Sequence, residues 1–374
     1  MFFRYLIFAY LLANIYLFIR SWQALEFFGR KRYWFAAIFW MAILPFAFMR
    51  MGTISGLLYN ICQYIGFTVL AASLYGFLFL PLIDFLRLVA WIGNIRPALI
   101  YRHYKLTKVI TFGAICLLIS TIITGGYINA HHPRATHTTI RIEKNAGSVA
   151  KLRIALVSDI HLGNFHGHRS LAKIVRTINE QSPDIVLLAG DIFDRYTESA
   201  IQGDLGAEFR NLKAKYGAYV VNGNHERSGG SQAMAYDYLV SIGVEPLFDS
   251  VTLIENSFYV VGRLDRSSRE RKALQELLTN LDNSLPIILL DHQPFDLGEA
   301  ELAGIDLQLS GHTHHGQLFP FNFVTSRLFE CDWGLLQKGK TFFYISCGAG
   351  TWGPPIRTAG RSEVAIIDLV FMVD

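Results

Sequence analysis

Apolar and polar positions divide the chain into two parts of different character. Four segments within the first 130 residues contain no Lys, Arg, Asp or Glu. These segments are Tyr5–Ile19, Tyr33–Met49, Met51–Ile83 and Val109–Pro133. A transmembrane helix needs about 20 mostly apolar residues, and the segments approach or exceed this length. The pattern predicts an α-helical membrane domain of about four transmembrane helices over residues 1–130. A cleaved signal peptide is the alternative for the first segment, but no small-x-small cleavage site follows it promptly.

From residue 151 onward, short apolar runs alternate with segments of helical period. Such runs are typical of buried strands, and the alternation is typical of an α/β domain. The predicted strands are Leu152–Val157, Ile185–Ala189, Ala218–Val221, Ile287–Leu290, Ile305–Leu309, Thr341–Cys347 and Glu363–Phe371. The predicted helices are Ser170–Gln181, Asp204–Lys215, Gln232–Ile242 and Glu270–Leu281. We therefore predict an α/β domain over residues 151–374 and a polar linker over 131–150, with Thr138–Ile142 as its candidate edge strand.

Charge is distributed unequally between these two parts. Residues 1–150 contain 14 Lys and Arg against 3 Asp and Glu, whereas residues 151–374 contain 20 against 27. The acidic second part lacks the basic surface that binding to a phosphate backbone requires, so no nucleic-acid partner is expected. The four cysteines have neither the pair spacing of a metal site nor the pattern of a disulfide framework.

Basic residues in the short loops predict the orientation in the membrane. The loops after the first and third apolar segments hold nine Lys and Arg, whereas the opposite side holds two before the last segment, Arg4 and Arg50. Basic loops are retained in the cytoplasm. The sequence therefore predicts a multi-pass protein of the cell (inner) membrane whose α/β domain faces the extracytoplasmic side.

Polar signatures follow the ends of five predicted strands. They read Ser158-Asp159-Ile160-His161, Gly190-Asp191-Ile192-Phe193-Asp194, Gly223-Asn224-His225-Glu226, Asp291-His292 and Gly311-His312-Thr313-His314. Residues just beyond the carboxyl ends of strands in open α/β sheets converge on one crevice. Because Asp, Asn and His supply the oxygen and nitrogen ligands of divalent ions, the pattern predicts a metal site.

The spacing within these signatures suits a site for two ions. Two metals a few Å apart need a bridging carboxylate, and such a pair clamps the attacking and leaving oxygens of an in-line displacement at phosphorus. Asp159 and His161 are two residues apart and, in an extended tip, would project to the same side. His312 and His314 have the same spacing, and Asp191 directly follows a strand, which makes it the natural bridge. The mixed ligand set suits Mn, Fe or Zn better than Ca.

The order of these motifs resembles that of the calcineurin-like metallophosphoesterases: Asp-x-His, Gly-Asp-x-x-Asp, Gly-Asn-His-Glu, a lone His and Gly-His-x-His. The resemblance runs from about residue 151 to the end of the sequence. The stretches Ser158–Gly163, Leu307–Gln317 and Gly348–Arg357 are similar to the membrane-associated bacterial branch of that superfamily. The resemblance implies a double β-sheet sandwich flanked by helices. It also implies two divalent metal ions at the strand tips, with manganese as the preferred ion.

The resemblance further implies a ligand set for a dinuclear site. One ion would be held by Asp159, His161 and His314, and the other by Asn224, His292 and His312. Asp191 would bridge the two ions.

A catalytic role beside the metals is implied for His225, which would contact a phosphate oxygen and protonate the leaving group. An imidazole can do either near pH 7. The nucleophile implied by the resemblance is a metal-bridging hydroxide. Asp194 is expected to support the site rather than to bind a metal.

Three further residues are candidates for contact with substrate. Arg195 and Arg227 each directly follow a site motif, and either could bind a phosphate through two hydrogen bonds or form a surface ion pair. His315 occupies a position where the branch usually has Gly, so it is either an additional substrate contact or a tolerated exposed residue.

Together these observations predict a membrane-anchored metal-dependent phosphohydrolase. The membrane domain beside the site suggests that the phosphorylated substrate is linked to a lipid. A non-catalytic receptor or scaffold that binds a phospholipid with the same fold is the alternative, although a protein of this kind would be expected to have lost metal ligands. A transporter with a regulatory hydrolase domain is disfavoured because the apolar segments contain no paired intramembrane charges.

Overall fold

A computed structural model describes residues 2–49, 56–95, 97–194, 197–228 and 232–372. The chain divides into two compact units, one of residues 1–127 with 353–356 and one of residues 128–352 with 357–374. The segment 131–150, for which the sequence predicts a linker, lies in the second unit.

Helices make up most of the described part of the first 130 residues. They are α1 (Phe2–Ala24), α2 (Arg32–Met49), α3 (Gly56–Ile92), α4 (Ala98–Arg102) and α5 (Tyr104–Ala130), with a 3-10 helix at Leu25–Lys31. Among the described residues, α3 and α5 are the two helices that are long and apolar enough to cross a membrane. By contrast, α2 has 18 residues and contains Pro45, and α1 carries an arginine near each end. Length and composition thus support two of the four predicted transmembrane helices.

The second unit contains two six-stranded sheets. The first has the order β1 (Arg134–Asn145), β12 (Glu363–Met372), β2 (Lys151–Val157), β3 (Ile185–Ala189), β4 (Ala218–Val221) and β5 (Glu245–Pro246). The second has the order β10 (Gly334–Lys338), β11 (Thr341–Ile345), β9 (Leu307–Ser310), β8 (Ile287–Leu290), β7 (Phe258–Gly262) and β6 (Ser250–Ile254). Strands β2 to β5 are parallel, and so are β7, β8, β9 and β11.

The two sheets pack face to face around a shared apolar core. This core includes Ile154 and Leu156 from β2, Ile288 from β8 and Leu309 from β9, and all four side chains are buried. Side chains alternate between the two faces of a strand, so the inward-facing residues of both sheets form one layer between them.

Helices cover the outer faces of the two sheets. One apolar cluster joins the first sheet to α6 (His168–Glu180), and another joins the second sheet to α10 (Leu274–Leu278) and α11 (Leu297–Leu302). The remaining helices of this unit are α7 (Thr197–Gln202), α8 (Asn224–Ser228), α9 (Gln232–Ser241) and α12 (Asn322–Leu328). The unit is therefore a double-sheet sandwich flanked by helices, as the resemblance implies.

Most of the predicted elements in this unit are confirmed. The five strands that precede the polar signatures are present to within two residues at either end. The predicted helix Asp204–Lys215 is wrong, because only a 3-10 turn forms at Ala207–Asn211, and the predicted helix Glu270–Leu281 shortens to α10. The candidate edge strand is longer than predicted: β1 has 12 residues and pairs in parallel with β12 at the edge of the first sheet. Strands β5, β6, β7 and β10 were not predicted.

Candidate metal centre

The carboxyl ends of parallel strands position the polar signatures at one edge of the sandwich. From the first sheet, Asp159 follows β2, Asp191 follows β3 and Asn224 follows β4. From the second sheet, His292 follows β8 and His312 follows β9. Because both sheets present these ends to the same crevice, residues 153 positions apart in sequence become neighbours: His312 donates its backbone N–H to both carboxylate oxygens of Asp159, at 3.1 and 2.9 Å.

The strand tips are left-handed rather than extended. Backbone φ is +52° at Asp159, His161 and Asp191. It is +74° at His312 and +50° at His314. Residues other than glycine rarely adopt this region, and such strain is concentrated at functional sites. The sequence predicts that an extended backbone directs Asp159 and His161 to the same side. This prediction is wrong, because the backbone is left-handed there, but the turns still bring the two side chains together.

The first group of candidate ligands comprises Asp159, His161 and His314, all of them buried. Nε2 of His161 lies 3.1 Å from Nε2 of His314. Oδ1 of Asp159 lies 3.3 Å from Nε2 of His314 and 4.0 Å from Nε2 of His161. Two imidazoles and a carboxylate thus direct their ligand atoms to one small region.

Asp191 lies between the first group and a second one. Its Oδ2 atom is 3.8 Å from Nε2 of His161 and 3.3 Å from Nε2 of His292. Asp191, His292 and His312 form the second group, whose ligand atoms lie within 4.8 Å of one another. A carboxylate in contact with both groups has the position that a bridging ligand requires.

Two glycines allow the backbone at one strand tip to approach the candidate ligands that follow another strand. A Cβ atom at Gly223, which precedes Asn224, would lie 2.1 Å from Oδ1 of Asp191. At Gly311, which precedes His312, a Cβ atom would lie 2.3 Å from Oδ2 of Asp159. Any larger residue would collide with a carboxylate of the site. The glycines of the Gly-Asn and Gly-His signatures are thus steric requirements.

The residues present fit divalent metal ions. Two atoms that each lie about 2.1 Å from the same ion, at an angle of about 90–110°, are separated by about 3.0–3.4 Å, which matches the 3.1 and 3.3 Å separations in the first group. Burial lowers the pKa of His161 and His314 and brings the pKa of His312 to about 4. These imidazoles are therefore neutral at pH 7 and keep a lone pair for a metal.

His292 is oriented by the backbone of the neighbouring sheet. Its Nδ1 atom lies 2.7 Å from the carbonyl oxygen of Ala189, the last residue of β3, so Nδ1–H donates and Nε2 faces Asp191. Carbonyl partners of this kind fix the tautomer of metal-binding histidines. Burial alone would lower the pKa of His292, but the Asp191 carboxylate outweighs burial and raises it.

His225 lies beside the candidate ligands and is held by a carboxylate. Its Nδ1 atom is 2.9 Å from Oδ1 of Asp194, and its backbone N–H donates to Oδ1 of Asp191 at 2.9 Å. Its ring contacts that of His161, with centroids 4.6 Å apart. Asp191, His161 and His225 form a third group of close ligand atoms, which shares residues with the first two groups. Among the described residues, Asp194 belongs to none of the three groups. Asp194 thus supports His225.

Of the three candidates for substrate contact, the structure describes the side chain of His315 alone. Arg195 lies outside the described residues, and Arg227 lies in the short helix α8, of which only the backbone is described at this position. His315 pairs with residues outside the ligand groups: its Nδ1 atom is 2.9 Å from Oδ2 of Asp332, and its ring packs on Trp333 with centroids 5.0 Å apart.

Glu226 is a buried residue whose role sequence reasoning missed. It accepts backbone hydrogen bonds from Gly223 at 2.7 Å, Asp191 at 3.2 Å and Phe193 at 2.8 Å. It therefore ties the turn after β3 to the turn after β4. Its place in the Gly-Asn-His-Glu signature was the available signal.

Arg357 is a second missed residue, and it is fully buried. It donates to the carbonyl oxygen of His314 at 3.2 Å and to that of Gly350 at 2.7 Å. The guanidinium thus ties the turn that carries His314 to the loop after β11. Its position at the end of the stretch Gly348–Arg357 was the available signal.

A third missed residue, Asp265, connects loops of both sheets. It is fully buried and follows β7. Its backbone N–H donates to the side chain of Asn222 at 2.9 Å, and its Oδ2 atom accepts from Gln293 at 2.7 Å. Asn222 lies two residues before Asn224, and Gln293 directly follows His292. No motif marks Asp265, because β7 itself was not predicted.

Comparison with known proteins is consistent with this geometry. The family model described as calcineurin-like phosphoesterase matches residues 152–316. A Danio rerio protein named as a transmembrane protein with metallophosphoesterase domain is 31% identical over 272 residues, which cover 68% of this chain and 62% of that protein. The chain therefore spans about three fifths of the length of this relative.

Two bacterial proteins named as metallophosphoesterases are covered more fully. One from Helicobacter pylori is 30% identical over 318 residues, covering 83% of this chain and 80% of that protein. One from Aquifex aeolicus is 31% identical over 259 residues, covering 66% of this chain and 97% of that protein.

Proposed function

This chain belongs to the calcineurin-like phosphoesterases, and we propose that it is a membrane-anchored dinuclear-metal phosphohydrolase. Its substrate, in this proposal, is a phosphoester or pyrophosphate linked to a lipid. The observation that carries the proposal is the position of Asp191, whose carboxylate contacts a histidine from each ligand group, His161 at 3.8 Å and His292 at 3.3 Å.

We propose the ligand assignment that the resemblance implies, and the first and second groups support it for every ligand except Asn224, which belongs to neither group. Asp159, His161 and His314 would hold one ion, and His292 and His312, with the side-chain oxygen of Asn224, would hold the other. Asp191 would bridge them. When bound, such a pair supplies Lewis acidity toward a phosphoryl oxygen and makes water a stronger nucleophile. The nitrogen and oxygen ligands suit Mn, Fe or Zn, and manganese is the ion we propose.

His225 is the proposed catalytic residue among the chain's own groups. Because its Nδ1 atom faces Asp194 at 2.9 Å, its Nε2 atom is the one available to a phosphate oxygen or to the leaving group. Burial alone would lower the pKa of His225, but the carboxylates of Asp194 and Asp191 outweigh burial and raise it. A protonated imidazole at this position donates a hydrogen bond to phosphate and delivers a proton to the departing oxygen.

The membrane part of the proposal rests on the helices of the first 130 residues. We propose that α1 and α2 cross the membrane together with α3 and α5, which would make the protein multi-pass. The excess of basic residues that follows the first and third apolar segments supports an extracytoplasmic position of the α/β unit. A metal site tethered to the bilayer favours a substrate that is itself held there.

The test of hydrolysis uses the full-length protein in detergent, stripped of metal and reloaded with Mn²⁺. Wild-type protein should hydrolyse a chromogenic phosphodiester only after reloading, and Asp191→Ala should reduce the rate to background because the bridge is lost. Asp237→Ala, an exposed position on α9, is the matched control and should keep full activity. Activity of Asp191→Ala equal to that of the control would contradict the proposal.

The substrate class is tested with a panel of soluble phosphomonoesters, soluble phosphodiesters and lipid pyrophosphates. Faster hydrolysis of the lipid-linked members by the reloaded protein is the expected result. If only soluble diesters are hydrolysed, the lipid-linked assignment is wrong and the helices serve as an anchor. If metals bind but nothing is hydrolysed, the assignment as a hydrolase is wrong.

A further inference from the structure

We propose that an exposed apolar surface beside the metal site inserts into the lipid bilayer and holds the site at the level of the phosphate groups. This surface, which we call the apolar rim, consists of Phe319, Phe321, Phe323, Val324, Leu328 and Trp352. The proposal rests on the proposed function in that it specifies where a lipid-linked phosphate would meet the site.

The side chains of the apolar rim are large, apolar and exposed. They range from 44% exposed at Phe321 to 67% at Leu328. Five of the six lie within ten residues of sequence, in α12 and the loop that precedes it. Exposed apolar residues that are clustered on a folded domain mark a site of contact with a protein or a membrane. Phenylalanine and tryptophan are also residues that occupy the boundary between lipid and water.

The apolar rim adjoins the candidate metal centre through Trp352 and through Phe329, a neighbour of the rim in sequence. Trp352 packs edge-on against the ring of His225, with centroids 6.3 Å apart. The ring centroid of Phe329, which directly follows Leu328, lies 6.1 Å from that of His312. One contact involves the proposed catalytic residue and the other a candidate ligand, so a lipid lying against the rim would have its phosphate close to both.

The apolar rim is also connected to the end of a helix that can cross a membrane. The side chain of Asn129, which belongs to the second unit and lies in the last turn of α5, donates to the carbonyl oxygens of Arg357 and Gly360, both at 2.9 Å. Between these two residues, the hydroxyl of Thr358 accepts from the backbone N–H of Phe319 at 2.9 Å. The segment 357–360 thus forms hydrogen bonds both with the end of α5 and with Phe319 at the start of the rim.

This connection identifies the bilayer as the occupant. Because α5 ends at Ala130 and β1 begins at Arg134, the residues of the second unit bonded to Asn129 would lie close to the level at which α5 leaves the lipid when α5 crosses the membrane as proposed. A protein partner would have to compete there with lipid that is always present. Residues 151–374 carry more Asp and Glu than Lys and Arg, 27 against 20, so insertion would depend on apolar contact rather than on attraction to anionic lipids.

The experiment places single added tryptophans on full-length protein in phosphatidylcholine vesicles with brominated acyl chains. Bromine quenches only tryptophans that reach the lipid. Phe323→Trp and Val324→Trp report on the apolar rim. The matched control is Leu302→Trp. Leu302 is 88% exposed at the end of α11. It precedes β9, whereas His312 of the metal site follows the opposite end of that strand. The fluorescence of the unsubstituted protein is subtracted to remove the contribution of the native tryptophans.

We expect the added tryptophans at 323 and 324 to be quenched about threefold more strongly than the one at 302, at low and at high salt, because apolar insertion is not screened by ions. Quenching equal to that at 302 would overturn the proposal. The readout does not depend on activity, so it remains informative even if the protein hydrolyses no phosphoester.

A second measurement links the apolar rim to substrate. In the triple variant Phe321→Ser, Phe323→Ser and Leu328→Ser, hydrolysis of a phosphodiester lipid in phosphatidylcholine vesicles should fall about tenfold, because membrane binding scales with buried apolar area. Hydrolysis of a soluble chromogenic phosphodiester should be unchanged. The double variant Leu253→Ser and Leu302→Ser, which removes exposed apolar side chains elsewhere, should change neither rate. Equal losses with both substrates would show that the rim serves folding rather than contact with lipid.

Discussion

Nδ1 of His225 lies 2.9 Å from Oδ1 of Asp194. The two residues follow different strands, β4 and β3, so the pair forms only when the turns after both strands are in place. The carboxylate fixes the orientation of the imidazole and leaves Nε2 directed away from it.

This pair gives a prediction for Asp194→Asn. An amide can accept a hydrogen bond but carries no charge, so His225 would be held less firmly and its protonated form would lose support. We expect kcat to fall by about 10- to 100-fold with bound Mn²⁺ unchanged, whereas His225→Ala should lose about 10²- to 10⁴-fold. Steady-state kinetics and elemental analysis measure the two quantities. A loss of metal in Asp194→Asn would instead make Asp194 a ligand.

The position of Asp265 between the loops of both sheets gives a second prediction. Asp265→Asn weakens the bonds that connect Asn222 and Gln293, neighbours of Asn224 and His292, and should therefore lower the affinity for the ion held by those ligands by about 10- to 100-fold. The other ion should bind as in the wild type. Calorimetric titration of the metal-free protein with Mn²⁺ resolves the two sites.

A merely structural role of Asp265 would lower the affinity for both ions and the melting temperature together. Asp282→Asn is the control, because Asp282 is an exposed turn residue that bonds to Ser284. It should leave both affinities unchanged.

Close approach at Gly223 gives a third prediction. In Gly223→Ala, the added methyl group would lie 2.1 Å from Oδ1 of Asp191, which is too close for any contact, so the carboxylate or the turn must move. We expect the bound metal to drop below about one ion per chain at Mn²⁺ concentrations that saturate the wild type. Gly298→Ala is the matched control, since a Cβ atom there has no neighbour within 4 Å. Full metal content in Gly223→Ala would contradict the assignment of Asp191.

Removal of metal gives a fourth prediction. Ligands from five strand tips converge at the site, and an ion that binds only the folded state stabilises it by about 2.7 kcal/mol when its concentration is about 100 times Kd. The melting temperature measured by calorimetry should therefore fall on chelation and recover with Mn²⁺, but not with an equal concentration of K⁺. Asp191→Ala should melt at the same temperature with and without chelator. A wild-type protein that is insensitive to chelation would exclude tight metal binding.

The element pattern of the α/β unit was readable from sequence where strands are fully buried. Runs such as Ile185–Ala189 contain only apolar residues, and their ends are marked by polar signatures. Three of the four strands that were not predicted, β5, β6 and β10, lack this contrast, whereas β7 is an apolar run that was missed. Thr252 and Gln337, for example, lie in β6 and β10 at the edges of the second sheet, where one face meets solvent and polar residues are allowed.

The sequence by itself determined the order in which the strands deliver the candidate metal ligands, because Asp, Asn and His recur after five separate buried runs, although each of them alone is also common in turns. It did not determine the path of the backbone at these tips. The left-handed turns at Asp159 and His312 depend on packing against backbone from the other sheet, which a local pattern does not contain.

Tertiary structure alone decided which groups support the ligands. Asp265 and Asn222, like Arg357 and His314, are far apart in sequence and have no shared motif, because each contact arises when two separate loops pack together. The same reason applies to the apolar rim: exposure depends on what the rest of the chain covers, and the apolar residues of Phe319–Leu328 read in sequence like those of a core. Residue chemistry is local and is visible in the sequence, whereas burial and proximity are properties of the folded chain.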